Sequence, residues 1–299
     1  MSDRQIMLFK DARDYQILFL SGFLFLGIFT RDWTLRLDLI GVLFLSCLLT
    51  QGFLSLAVRA IKQYVPQYHY DSQFYHLKNL LSISSLRSAT ITALGLCLLL
   101  RGNHWTTIAI AGCLAIASKF IFRFREKHFF NPANFGIIAT LILTNDAWVS
   151  PGQWGTDWWY LLLFAGTGGI ILKRVGRWDT SAAFLLTYIG LEAIRNFWLG
   201  WSLDVLQHQL TSGSLLLFAF FMITDPRSIP NATISRIIWA VSIAILTFII
   251  QHAFYLSNAV FWALFILSPL TIILDSIWSA HRFSWQSNSV GRLNLGRVV

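Results

Sequence analysis

Charged residues are scarce in this chain. Asp, Glu, Lys and Arg make up 12% of its 299 residues, whereas hydrophobic residues make up 56%. A soluble globular domain carries about 25% charged residues, so this chain has about half the charge that a water-facing surface needs. The shortage excludes a soluble globular protein, and the 25 Phe and 13 Trp exclude a disordered one. The composition predicts a polytopic membrane protein, because each spanning helix needs about 20 mostly apolar residues.

Cysteine is scarce as well, and this excludes other classes. Cys47, Cys97 and Cys113 all lie in apolar runs without metal-like spacing, so we expect three small buried side chains rather than a disulfide framework or a zinc site. The seven histidines fall in loops or at helix ends, a pattern that does not favour transmembrane haem. Neither HExxH nor a P-loop is present. The sequence therefore predicts no metal site and no side chain acting as a catalytic acid or base.

The apolar residues are grouped into ten segments, whose order predicts the fold. They fall at about 16–30, 37–58, 80–100, 104–122, 132–144, 157–172, 180–200, 212–224, 234–252 and 256–278. The segments at 132–144 and 212–224 are too short to span a bilayer, which is typical of half-helices that line a site. We predict one transmembrane domain at 16–280, with halves at about 16–145 and 157–280. Polar segments at 1–15 and 281–299 flank it.

The few basic residues predict the orientation. With ten spans and a cytoplasmic N-terminus, 18 of the 23 Lys and Arg residues fall on the inner side. Only Arg31, Arg36 and Arg101 fall outside, and Arg87 and Arg195 lie within spans. Membrane proteins keep such an excess of Lys and Arg in the cytoplasm. Both termini are therefore predicted to be cytoplasmic, in a membrane of the bacterial cytoplasmic type, and the net charge of +9 does not indicate nucleic-acid binding.

Weak internal similarity favours two repeats. The third segments of the two halves begin with the similar runs 87–95 and 212–220, and the fifth segments begin with the similar runs 131–136 and 258–263. Five helices per half require the halves to have opposite orientations, because five is odd. The predicted fold is therefore an all-α polytopic membrane protein of about ten helices in two inverted five-helix repeats, with a site between them.

Ionisable residues inside a bilayer are functional candidates. Glu192 and Arg195 are three residues apart on one helix face, so an ion pair between them is expected. Arg87 either snorkels to the interface or holds a phosphate. Asp225 either ends a helix in the Thr-Asp-Pro sequence or belongs to a site, and Asp275 falls near the end of the last span.

Two further motifs stand at helix starts. In Phe130–Gly136, Asn131 before Pro132 is a good N-terminal cap, and an exposed helix N-terminus attracts an anionic group. The run Thr211–Ser214 offers small hydroxylated residues that either cap a helix or contact a phosphate.

Several of these runs together resemble the RnfD/NqrB family, the membrane subunits of the Rnf and Nqr electron-transport complexes. Residues 88–94 resemble its SAxxTAxL segment, and 130–136 resemble FNPAMxG. Residues 168–172 with Trp178 resemble GG…L…W. Ser212 and Gly213, followed by residues 220–226, resemble SGATxLxAFFxATDP.

The resemblance implies ten helices in inverted halves, a scaffold also similar to urea transporters. It further implies FMN attached through its phosphate to the Thr of SGAT on the outer side, and electron passage with partner subunits. This chain departs from the pattern at the attachment site, because Leu215 stands where the family has Thr, and Leu cannot form a phosphoester. Ser214 lies one position earlier, which rotates a helical side chain by about 100°.

The leading prediction is a short, divergent RnfD-like subunit that passes electrons through a bound FMN, which need not be covalently attached. Its partners would be the lipid bilayer and other membrane, flavin and iron–sulfur subunits. Two alternatives stay open: a small-solute channel or transporter, and a non-catalytic scaffold subunit. The candidate flavin-binding residues lie on the third helix, at the half-helix cap and in the SGAT-like region; they are Arg87, Thr90, Thr92, Asn131, Asn134, Ser212, Gly213, Ser214, Thr224 and Asp225.

Overall fold

The computed structural model describes residues 11–30, 36–64, 83–125, 127–150, 154 and 158–285. Helices dominate this part of the chain: nine of the ten predicted apolar segments contain one helix each, the segment at 256–278 contains two, and α8 lies between two segments. The helices are α1 (Ala12–Thr30), α2 (Leu37–Tyr64), α3 (Ile83–Leu99), α4 (Trp105–Ile121), α5 (Pro132–Leu143), α6 (Trp158–Val175), α7 (Trp178–Trp198), α8 (Leu203–Leu210), α9 (Gly213–Leu217), α10 (Thr233–Ala253), α11 (Ala259–Leu267) and α12 (Leu270–Ile277). A single π-helical turn, Phe218–Met222, continues α9.

Three helices are long and apolar enough to cross a bilayer: Ala12–Thr30, Leu37–Ile61 and Thr233–Ala253. Two pairs of shorter helices are long and apolar enough to cross a bilayer if each pair is counted as one span, although each pair is bent by 48° at a short break. These pairs are Leu203–Leu210 with Gly213–Met222, and Ala259–Leu267 with Leu270–Ile277. The described chain thus contains three clear apolar spans and up to five, and the protein is a helical integral membrane protein. The short lengths predicted for segments 132–144 and 212–224 are confirmed.

Polar contacts gather several helix termini at one end of the bundle, which we call the basic end. There the side chain of Lys127 contacts Asp275, and Arg236 contacts Asp179 at the start of α7. Arg13 at the start of α1 donates to Ser84 at the start of α3. We call the other end of the bundle the opposite end. There Asp146 accepts hydrogen bonds from Asn103 and His104 at the start of α4.

Two short antiparallel ribbons, which the sequence did not predict, connect helices. β1 (Leu100–Gly102) pairs with β4 (Ala147–Val149), and β2 (Arg123–Phe124) pairs with β3 (Lys127–His128). Each ribbon lies where helices end, because the free backbone groups there need partners. They leave the helical class of the fold unchanged.

Small residues allow the helices to pack closely, as is usual where lipid supplies no hydrophobic driving force. A Cβ atom added to Gly136 on α5 would lie 2.7 Å from the Cβ of Ala115 on α4 and 2.9 Å from the carbonyl oxygen of Ala111. Cys47 and Cys97 are buried as expected, whereas Cys113 is exposed on the bundle surface. The expectation that all three cysteines are buried was therefore wrong for Cys113, because an apolar run on a lipid-facing helix does not reveal which face points outward.

Aromatic side chains form the core where α1 meets α6 and the π turn. The ring of Phe23 contacts Phe164 with centroids 4.7 Å apart and Phe221 at 5.6 Å. Trp154, which is fully buried, adds edge contacts with Phe164 at 5.0 Å. These contacts join the first predicted half to the second.

Candidate functional site

The N-terminus of α5 is tied to both bent helix pairs of the second half. The side-chain oxygen of Asn131 accepts a hydrogen bond from the backbone N–H of Asn134 at 3.1 Å, which confirms the predicted cap. The amide of Asn131 donates to the carbonyl oxygen of Met222 at 3.2 Å, and the amide of Asn134 donates to that of Phe261 at 3.1 Å. Two residues of one motif therefore position α5 against the π turn and α11.

A cavity of about 100 Å³ begins beside this junction and extends toward the basic end. Its deeper wall is apolar, with Gly95, Leu98 and Leu217 among its residues, and its outer part is polar. The polar lining comes from α1, α3, the loop before α5 and the loop after the π turn, and consists of Arg13, Gln16, Ser88, Thr92, His128, Asn131, Thr224, Asp225 and Arg227. An apolar pocket with a few converging polar groups is the usual form of a ligand site.

Charged side chains surround the polar part of the cavity. The Nε2 atom of His128 lies 3.8 Å from an oxygen of Asp225. Burial lowers the pKa of His128, and the nearby Asp225 carboxylate only partly offsets that effect. Burial raises the pKa of Asp225, but His128 and the backbone N–H of Arg227 together lower it by more, so the net shift of this pKa is downward.

Arg13 and Trp285 close one side of the cavity. The guanidinium of Arg13 contacts the Asp11 carboxylate and donates to Ser84, while it lies 4.6 Å from the centroid of the Trp285 ring. The pKa of Asp11 is lowered, because these bonds and the positive charge of Arg13 outweigh the opposing effect of burial. Arg227 is exposed, and within the described part of the chain its guanidinium forms no hydrogen bond.

Four of the ten sequence-predicted site residues line the cavity: Thr92, Asn131, Thr224 and Asp225. The hydroxyls of Thr92 and Thr224 donate to carbonyls of their own helices, those of Ser88 and Phe220, at 2.9 and 3.0 Å. Their oxygens are left to accept hydrogen bonds from a ligand.

Three other predicted residues lie elsewhere. Arg87 forms ion pairs with Asp14 at 2.7 Å and with Asp11 at 3.5 Å, so the N-terminal segment neutralises it. Thr90 is not part of the cavity wall, because it lies two residues from Thr92 and faces another side of α3. Asn134 is fully buried, and its side-chain oxygen has no hydrogen-bond partner in the part of the chain that the structure describes.

The remaining predicted residues, Ser212, Gly213 and Ser214, lie at the far end of the α9–π segment from Asp225. A Cβ atom on Gly213 would lie 2.3 Å from the ring of Trp154, so the indole occupies the space beside this glycine. Ser214 is 2% exposed and its hydroxyl has no hydrogen-bond partner among the described residues, while Leu215 is 6% exposed. Leu215 thus offers no hydroxyl for the phosphoester that the resemblance implies, and Trp154 fills the volume beside Gly213.

The expected ion pair between Glu192 and Arg195 was wrong. Glu192 instead contacts the Nε2 atom of His252 on α10 at 2.7 Å, and Arg195 lies 4.6 Å from the centroid of Trp201. Residues three apart on a helix can pair, but Glu192 lies on the buried face of α7, and the longer Arg195 side chain turns toward the helix end. Asp275 accepts from Lys127 and Asn231 near the end of α12, at the basic end.

Sequence reasoning missed several residues of the cavity, among them Arg13, His128, Arg227 and Trp285. These four lie outside the apolar segments, where sequence reasoning assigned no site. Of these, His128 lies three residues before Asn131 and Arg227 lies two residues after Asp225. That closeness to predicted site residues was the available signal.

The fold and this cavity define a helical integral membrane protein with a cavity among short and bent helices, and the outer part of that cavity is polar. Comparison with known proteins finds a family that matches part of the chain. Residues 144–284 match the family described as NQR2, RnfD, RnfE, which confirms for this part of the chain the RnfD/NqrB resemblance indicated by the motifs. The runs at 88–94 and 130–136 lie outside the matched range.

Curated relatives carry the corresponding name. The D subunit of the ion-translocating oxidoreductase complex of Stutzerimonas stutzeri is 30% identical over 122 residues, which are 39% of this chain and 33% of that protein. The same component of Alcanivorax borkumensis is 27% identical over 142 residues, which are 46% of this chain and 40% of that protein. That of Haemophilus influenzae strain Rd is 32% identical over 104 residues, 33% of this chain and 29% of its own. The matched region thus spans about a third of the length of these relatives.

Proposed function

We propose that this chain is the RnfD-type membrane component of an ion-translocating oxidoreductase complex, working with other membrane, flavin and iron–sulfur subunits. The family match over residues 144–284 supports this role, as does the shared name of the relatives. We also propose ten membrane segments in two inverted halves, of which 132–144 and 212–224 are too short to cross the bilayer. The alternation of helix termini between the basic and opposite ends supports that arrangement, because α3 and α5 begin at the end where α6 finishes.

The redox group we propose is a flavin held without a covalent bond in the cavity at the basic end. Arg227 is a suitable cation for the phosphate, because guanidinium groups bind phosphate oxygens with paired hydrogen bonds. The oxygens of Thr92 and Thr224 are available as acceptors for a ring N–H. The cavity that brings these residues together is the single observation that carries this proposal.

A bound flavin supplies one- and two-electron transfer; the residues of this chain bind and position it. The apolar wall excludes water, and Asn131, fixed at both ends of its amide, keeps the α5 terminus in place. The open volume of about 100 Å³ is smaller than the roughly 300–1,000 Å³ of typical ligand pockets. Binding a whole flavin therefore requires the cavity to widen, and Trp285 is one of the residues that line it.

Two related threonines provide a matched test. The full chain would be purified in mild detergent, denatured and assayed for flavin both in the extract and on the protein band. We expect FMN in the extract and no fluorescence on the band. Thr92→Val should lower the flavin-to-protein ratio severalfold, whereas Thr90→Val, which changes the same residue type outside the cavity, should leave it unchanged.

Other outcomes would overturn parts of the proposal. Fluorescence that stays on the band and disappears in Ser214→Ala would establish covalent attachment at the opposite end. Protein that contains no flavin but supports solute flux in proteoliposomes would establish the channel or transporter alternative. Flavin-free protein that co-purifies stably with partner subunits would establish the scaffold alternative.

A further inference from the structure

A stripe of polar side chains runs along the buried face of α7. Tyr188, Glu192 and Asn196 are spaced four residues apart and are 3%, 1% and 5% exposed. At about 1.5 Å rise per residue the stripe covers about 12 Å of the helix. Buried polar and ionisable groups are rare inside membrane helices and mark functional sites by default.

Helix α10 supplies partners for this stripe. The Nε2 atom of His252 lies 2.7 Å from Oε1 of Glu192, and the hydroxyl of Tyr188 donates to the side-chain oxygen of Gln251 at 2.8 Å. Two further buried oxygens on these helices, Oδ1 of Asn196 and Oγ1 of Thr247, form no hydrogen bond within the described residues. The seam between α7 and α10 is therefore polar over much of its length toward the opposite end.

His252 connects this buried network with the protein surface. Its side chain is 17% exposed, whereas that of Glu192 is 1% exposed. It belongs to the last turn of α10, which is followed by the exposed residues Phe254 and Tyr255. A proton arriving from the opposite end thus meets His252 first and Glu192 directly behind it.

We propose that Glu192 and His252 form a proton-binding site that exchanges with the aqueous phase at the opposite end. With neutral His252 and ionised Glu192 the pair carries a charge of −1. Binding one proton from water makes the pair neutral, with the proton either on the imidazole or on the carboxyl group. This site is independent of the proposed flavin.

Few other titratable groups face the pair. On α7, Tyr188 is hydrogen-bonded and Arg195 is turned toward Trp201. Helix α8, which packs on the end of α7, carries Asp204 and His208, both exposed. The π turn and α11 carry no titratable side chain, and α6 has its Lys173 and Arg174 in its last turn at the basic end.

Infrared spectroscopy of the full chain in lipid nanodiscs, titrated across pH, tests the proposal. We expect a carboxylic acid C=O signal that appears on acidification and is lost in Glu192→Gln. Asp204→Asn, which removes an exposed carboxylate from neighbouring α8, should keep that signal. An identical titrating signal in the wild type and in Glu192→Gln would overturn the proposal.

A second variant decides the matter if Glu192→Gln does not fold. His252→Gln keeps an amide donor for Glu192 but cannot carry a proton. It removes one of the two protonated forms, so the midpoint of proton uptake should shift to lower pH. A midpoint that stays at the wild-type pH would leave the pair with a structural role only.

Discussion

At the residue scale, the polar side chains of this apolar protein work mainly as links between backbone segments. Asn131 and Asn134 join α5 to carbonyl oxygens of the second half, and Asp146 joins the start of α4 to the loop before β4. The link from Asp146 satisfies backbone N–H groups that the start of α4 leaves free, and the amide bonds of Asn131 and Asn134 hold α5 against the second half. Their loss can therefore be measured as a loss of stability.

Asp146 gives a prediction with a defined pH dependence. Desolvation raises its pKa, but the hydrogen bonds from His104, Thr107 and Asn103 together outweigh this and lower the pKa from 3.8 to about 2. A carboxyl group with a lowered pKa stabilises the folded state above its unfolded pKa, and the contribution is lost as the pH falls through the folded value. Asp146→Asn should therefore lower the melting temperature at neutral pH, and its difference from the wild type should shrink between about pH 4 and pH 2. A difference that does not change with pH would contradict this interpretation.

Asn131 gives a prediction about capping. Asn131→Ala removes the cap of α5 and the bond to Met222, so we expect a loss of about 1–2 kcal/mol in the free energy of unfolding. Asn258→Ala is the matched control, because Asn258 precedes α11 without forming a side-chain cap. Equal effects of the two substitutions, measured by thermal or denaturant unfolding in detergent, would argue against the capping role.

At the scale of elements, close helix contacts rather than length hold the short helices in place. Helix α5 has only 12 residues, yet it packs against α4 through Gly136 and against α11 through Asn134. The α9–π segment is packed in a similar way, because Gly168 of α6 lies against the ring of Phe220. A short buried helix is stable when its neighbours approach its backbone closely.

Glycine substitutions separate close packing from helix propensity. Gly136→Ala places a methyl group against the backbone of α4, which cannot shift without moving the helix, so we expect a loss of about 1–3 kcal/mol. Gly190→Ala on α7 is the control, because no atom lies within 4 Å of the added Cβ. That variant should be neutral or stabilised by up to about 1 kcal/mol. If both variants lowered the melting temperature by the same amount, the packing argument would be contradicted.

The contact between Gly213 and Trp154 can be tested by rescue. Gly213→Ala should destabilise the protein, because its methyl group would overlap the indole ring. In a Trp154→Ala background the space is free, so the same substitution should cost much less, and the two effects should be strongly non-additive. Additive effects in a double-mutant cycle would show that the glycine is needed for another reason.

At the scale of the whole molecule, the distribution of basic residues follows the arrangement of the bundle. Several residues that the charge count placed inside, among them Arg13, Lys127, Arg177 and Arg236, make their polar or aromatic contacts at the basic end. The positive-inside rule predicts that this end faces the cytoplasm.

Labelling of single cysteines tests that orientation. In a background with Cys47, Cys97 and Cys113 replaced by Ala, Asn103→Cys marks the opposite end and Arg123→Cys marks the basic end. A membrane-impermeant thiol reagent should label position 103 in intact bacterial cells and position 123 only after lysis. The reverse pattern would place the basic end outside and overturn the predicted topology.

Much of this protein could be read from the sequence, because burial in lipid imposes simple rules on composition. The apolar segments predicted where helices form, and the Asn-Pro sequence predicted the cap of α5. The site was predicted in part: Thr92, Asn131, Thr224 and Asp225 meet at one cavity, whereas Arg87 is neutralised by Asp11 and Asp14. The Asp11 and Asp14 contacts join residues more than 70 positions apart, so helix periodicity could not reveal them.

The sequence by itself determined that the chain is an apolar helical membrane protein and that its motifs resemble the RnfD/NqrB family, because composition and short motifs are local properties. The tertiary structure alone decided which polar groups meet. It paired Glu192 with His252 rather than with Arg195, filled the space beside Gly213 with Trp154, and brought Arg13 and Trp285 from the two ends of the described chain to one cavity. Such choices depend on how the helices rotate and cross, because that packing decides which side chains come within hydrogen-bonding distance of each other.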